Sequence, residues 1–149
     1  MFKFILAVLL WSCSHTPVKD PISEMNAIRA EFNEEFGIKD SKIVMGFGIE
    51  AFVEGVGGVC VPSRHLLLLN QDLWQYLGPY QKKQLIYHEL GHCELNLEHV
   101  NARFENGAPV SFMFPSMQPF SEGFLEANWN YYVAEEHALA KSPAQRISH

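Results

Sequence analysis

The sequence predicts an α+β fold, and three observations carry that prediction. Apolar residues recur at helical spacing near the beginning, two short strand-like segments lie in the middle, and a longer helix-period segment opens with Gly78-Pro79. With 149 residues, the chain has the length of one domain that buries roughly two thirds of its unfolded surface. Apolar content of 48% and charged content of 19% belong to an ordinary globular composition. A formal charge of −6, with no clustered Lys/Arg stripe, argues against nucleic acid as a partner, because nothing here would displace counterions from a phosphate backbone.

Met25, Ile28 and Phe32 share one face of the first helix, which starts at Pro21 and is closed by Gly37. From residue 42 the period changes to two, with Ile43, Met45, Phe47 and Ile49 alternating against smaller or polar neighbours as in a half-buried strand. Gly55, Gly57 and Gly58 mark a turn into Val59-Cys60-Val61. The run 65–69, bounded by Pro62 and Asn70, reads as a buried strand, and Asn70 caps a brief helix through residue 77. Pro79 suits the first turn of the next helix, residues 80–95, on which Ile86, Leu90, Cys93 and Leu97 form an apolar stripe. Gly91 inside this helix costs about 1 kcal/mol relative to Ala, so a neighbouring backbone is expected to approach it closely. Residues 98–123 are irregular and rich in Pro, Phe, Gly and Ser. A last helix spans 122–140, with Phe124, Trp129, Tyr132, Val133 and Leu139 as its apolar residues.

The segment Met-Phe-Lys-Phe-Ile-Leu-Ala-Val-Leu-Leu-Trp-Ser-Cys places one Lys before an apolar run too short to span a bilayer, the pattern of an export leader over residues 1–13. Its end resembles a bacterial lipoprotein signal, which implies lipidation at Cys13, anchoring in the cell envelope and membrane contact through that lipid alone. A simple secretory leader is the alternative. A tether over 14–20 and a single domain over 21–149 follow. Cys60 and Cys93 remain, and in an exported protein they are expected to pair, or else to pack as two separate buried thiols.

His88-Glu89-Leu90-Gly91-His92 carries the most specific chemistry in the sequence. Two imidazoles four residues apart project from one face of a helix and can reach one Zn²⁺ at about 2.0–2.1 Å. Glu89 beside them is the candidate catalytic base, placed to take a proton from an attacking water. A catalytic zinc site needs a third protein ligand. His99 is the nearest candidate, with Asn96 able to turn the chain back in a left-handed conformation. Glu122, Glu126, Glu135 and Glu136 are its rivals, while His15, His65, His137 and His149 are left as non-ligands.

The stretch from His88 to His99, followed by Ser111-Phe112-Met113-Phe114-Pro115, resembles the metzincin zinc peptidases, particularly small bacterial metallopeptidases with an H-E-L-G-H-C core. The resemblance covers residues 79–115. It implies one zinc ion, a Met-turn at Met113 beneath the metal, and a small mixed twisted sheet packed on the active-site helix, with an edge strand that aligns an extended peptide substrate. Residues 66–69 are the candidate for a strand of that sheet. Leu95 and Glu98 stand where the family has its Gly and last His, and Asn96 and His99 each come one residue later, as one extra helical residue would give. Tyr131, Tyr132, His137 and Arg103 are candidates to polarise the scissile carbonyl. The sequence therefore points to a zinc-dependent peptidase acting on peptide or protein; the alternative is a zinc-stabilised binding protein of the envelope without catalysis.

Overall fold

The computed structural model describes residues 20–48, 56–117 and 120–142. The leader with Cys13, the tether as far as residue 19, Ile49, Gly55, His15 and His149 lie outside them. The fold is α+β, with helices α1 (Pro21–Phe36), α2 (Gln71–Trp74), α3 (Pro79–Leu95) and α4 (Glu122–Lys141) and strands β1 (Val44–Phe47), β2 (Gly58–Val61) and β3 (Leu66–Leu69). Among the described residues, no helix is long and apolar enough to cross a membrane.

Local chemistry accounts for the helix ends. The Asp20 carboxylate accepts the Ser23 N–H at 3.0 Å, and Gly37 stops α1 in the left-handed region at φ 67°. Asn70 caps α2 by accepting the Leu73 N–H at 3.1 Å. The second helix is shorter than the sequence implies, because after Trp74 the chain continues only in tight turns, Tyr76 N–H to Leu73 and Leu77 N–H to Trp74.

The sheet has the order β1-β3-β2, with β1 parallel and β2 antiparallel to β3. A 3-10 turn at Pro62–Arg64 connects β2 to β3, and His65 closes it at φ 50°, a backbone role that leaves it away from the other histidines. Leu67 and Leu69 point into the core while Leu66 and Leu68 are half-buried, the alternation of a pleated strand. Because β3 is the central strand, both its edges are already paired. The edge on the cleft side, which an extended chain could join, belongs to β2.

Three elements converge on α3. Met25, Ile28 and Phe32 of α1 are buried, and Phe32 meets Tyr87 edge-on at 5.0 Å. From the other side Trp129 and Tyr132 of α4 pack on Phe112, at 4.8 and 5.0 Å between ring centres. A Cys60–Cys93 disulfide with a Cα–Cα distance of 5.6 Å ties β2 to α3. The expected stripe is therefore split. Ile86 and Leu90 face the core, Cys93 is taken by the bridge, and Leu97 is buried beyond the helix end.

Candidate metal centre

The site is built on α3, whose start is secured at a distance from the chemistry. Pro79 needs no N–H partner, Gln81 returns its side chain to the Gly78 N–H at 3.2 Å, and the Glu122 carboxylate accepts from Tyr80 and Gln81 N–H at 2.9 and 3.0 Å. Glu122, a rival for the third ligand, is thus a helix cap. At the other end Asn96 adopts φ 58°, ψ 39°, and the Leu97 N–H returns to the Gly91 carbonyl at 3.0 Å. The Val100 N–H then bonds the Met113 carbonyl at 2.9 Å, so residues on both sides of His99 are fixed.

This reversal brings His99 to the two helical histidines. The three Nε2 atoms lie 3.2, 3.2 and 3.3 Å from one another, buried deepest at His88 and open to solvent at His99. That spacing is what ligands about 2.0–2.1 Å from one tetrahedral ion produce. The remaining ring nitrogens settle which atoms carry protons. His88 Nδ1–H donates to the Phe112 carbonyl at 2.8 Å and His92 Nδ1–H to the Leu97 carbonyl at 2.7 Å; a carbonyl can only accept. Neutral rings so held turn bare Nε2 lone pairs towards a common centre, an arrangement that repels itself unless a cation sits between them. Protonation is disfavoured as well. Burial, followed by the neighbouring His92, lowers His88 to about 3, and burial also lowers His92 and His99. His88, His92 and His99 could therefore hold a metal ion, and among the described residues no other group of three potential ligands does so.

Glu89 lies in the same cleft, a cavity of about 430 Å³ whose walls also include Val59, Leu85, Phe114 and Met117. The residue is 5% exposed. Burial pushes its carboxyl up to about 7, against the opposing pull of a hydrogen bond from the Cys60 N–H. Contact with β2 is close, since a Cβ on Gly58 would stand 2.8 Å from Glu89 Cγ.

Beneath the histidines the chain makes a tight turn through Ser111, Phe112 and Met113, with the Met113 N–H on Ser111 Oγ at 3.0 Å and the Phe114 N–H on the Ser111 carbonyl at 3.2 Å. Met113 is fully buried under α3. What crowds Gly91 is not a backbone, as the sequence suggested, but side chains: a Cβ there would lie 2.6 Å from Met113 Sδ and 2.9 Å from Glu136 Oε1. Helix α4 sends its carboxylate into that gap because Glu136 sits on the face packed against α3.

The other candidates are engaged elsewhere. Glu135 hydrogen-bonds Ser111, Glu126 borders a separate depression beside Tyr80, and Glu136 lies outside the histidine cluster. Tyr131 donates to the Val110 carbonyl at 2.9 Å, and Tyr132 donates to the Pro109 carbonyl at 2.6 Å. Arg103 bonds the Gly107 carbonyl at 2.6 Å and stacks over Phe114, while His137 meets Glu35 at 2.8 Å. None of these four lines the cleft. Sequence reasoning passed over two contributors, the Phe112 carbonyl and Gly58, and weighed Glu136 only as a rival ligand. Phe112 and Gly58 stood inside recognised segments, but their contacts with α3 span 24 and 31 residues and leave no local mark. No protein-family model matches the chain, and no curated protein matches it.

Proposed function

We propose that this protein is a zinc-dependent peptidase of metzincin-like design, exported and held at the cell envelope by a lipid on Cys13. The observation that carries the reading is the buried Glu89 carboxyl in one cleft with three converging Nε2 atoms. A purely structural ion would need no such carboxyl, and three protein ligands leave the fourth position that a catalytic zinc uses. His88, His92 and His99 would hold the ion, and the neutral, carbonyl-anchored rings of His88 and His92 are donors suited to zinc. Bound zinc polarises a peptide carbonyl and acidifies water.

The chain's own residues supply the rest. Glu89, poised near neutrality, takes a proton from the attacking water and delivers it to the leaving amine. The apolar wall formed by Leu85, Phe114 and Met117 excludes bulk water from one side of the cleft. In the antiparallel ladder alternate residues of β2 turn their polar groups away from β3, and Cys60 does so towards Glu89; Gly58 shares that outward edge. An extended peptide laid along it would present successive carbonyls to the histidine cluster.

The test is cleavage of a mixed peptide library, read by mass spectrometry, before and after removal of metal with a chelator. Cleavage lost with the chelator and restored by stoichiometric zinc is the expected result. Turnover that persists without metal would contradict the reading.

A further inference from the structure

Strand β2 has four residues, all half-buried, and none belongs to the buried core. As an edge strand it is hydrogen-bonded, among the described residues, to β3 on one side only. Its other side nevertheless touches Glu89, and one residue makes the connection twice. Cys60 donates its N–H to the Glu89 carboxyl and bonds its sulfur to Cys93. Glu89 and Cys93 are four residues apart on α3 and so lie one above the other on the same helix face. The covalent bridge and the hydrogen bond are thus parallel struts, one helical turn apart, that share a single anchor on the strand. Gly58 completes the contact, because its lack of a side chain lets the strand come down onto Glu89 Cγ.

We propose that the Cys60–Cys93 disulfide is a positioning device for Glu89. The bridge holds the edge of β2 against α3 so that the Cys60 N–H keeps the carboxyl in one orientation beside the histidine cluster. Cys60 and Cys93 are positioning residues, since both act through Glu89 and neither acts on substrate. The inference rests on the reading of Glu89 as the base. No core side chain on β2 substitutes for the bridge, and a misplacement of about 1 Å at a reacting group can cost on the order of a hundredfold in rate.

The decisive comparison sets zinc-loaded wild type against the zinc-loaded Cys60→Ala/Cys93→Ala double variant, with circular dichroism confirming the fold and zinc content confirming the site. The expected outcome is a drop of tenfold or more in kcat, a smaller change in KM, and full zinc occupancy. A kcat within twofold of wild type overturns the proposal. So does a loss confined to KM, which would assign the bridge to peptide alignment instead.

Should the double variant not fold, the bridge is opened in folded wild type with a phosphine reductant, which becomes the phosphine oxide as the disulfide becomes two thiols. Activity should fall and then return on reoxidation with zinc still bound; unchanged activity overturns the proposal. An independent arm follows hydrogen exchange at the Cys60 amide. Exchange should quicken at least tenfold once the bridge is opened, and an unchanged rate counts against the clamp. If wild type cleaves no peptide, the peptidase reading fails by itself, and the amide exchange decides whether the clamp exists.

Discussion

Glu136 is the residue at which burial and charge conflict most. Both carboxyl oxygens are buried without a hydrogen-bond partner among the described residues, between Gly91, Met113 and the neighbouring Glu135, with Tyr87 on the facing helix. Burial, and then the Glu135 charge, raises its pKa well above the ordinary carboxyl value. A raised folded-state pKa means that the native protein holds a proton which the unfolded chain releases. This contribution to stability is fully present below the unfolded value of about 4.3 and is lost as pH rises towards the folded one. Glu136→Gln keeps the shape without titrating. Its melting temperature should exceed that of wild type by a margin that grows from pH 5 to pH 8, as scanning calorimetry would show; a margin independent of pH would count against a neutral carboxyl. The sequence shows this residue only as one of four helix acids that rival His99 as a ligand, with no sign of its burial. Gly91 is the complementary case: its presence inside a helix announced a close approach, but nothing local said that Met113 and Glu136 make it.

Among the elements, α3 was legible almost to the residue, because its start, stop and paired histidines are local signals. Pro79 and Asn96 stand at its two ends, and His88 and His92 need only the helical repeat to share a face. The sheet was less legible. Its strands were visible by period, yet the order β1-β3-β2 depends on pairings between distant segments, so the strand with the strongest apolar run proved to be central and the glycine-marked one proved to be one of the two edges. Helix α4 was readable in extent but not in purpose. Its first residue, Glu122, closes the N-terminus of α3 through two backbone N–H bonds. Glu122→Ala should therefore lower stability by about 1 kcal/mol, the usual cost of a lost cap. Urea unfolding would measure that loss. Zinc affinity should stay unchanged, because His88 lies eight residues along the helix, roughly 12 Å away.

At the scale of the whole molecule, the cleft is where segments distant in sequence meet: β2, α3, the His99 turn and the turn around Phe112. Binding of an ion by the three histidines would consequently be linked to folding. An ion that binds only the native state at 100 times its dissociation constant adds about 2.7 kcal/mol. For a chain of this size that is a rise in melting temperature of roughly 5–10 °C. Thermal scans with and without zinc should show the rise in wild type and lose most of it in His99→Ala, whereas an equal rise in both would remove His99 from the ligand set. The local part of this centre was readable because a helix repeat encodes it. Its support, through the Phe112 carbonyl and the β2 edge, arises only when the chain closes on itself. The most direct measurement compares peptide turnover by zinc-loaded wild type with that of zinc-loaded Glu89→Gln. With Glu89 as the base, zinc content should be equal and turnover should fall at least a hundredfold in the variant; a variant that binds zinc and still cleaves peptides at the wild-type rate would contradict that role.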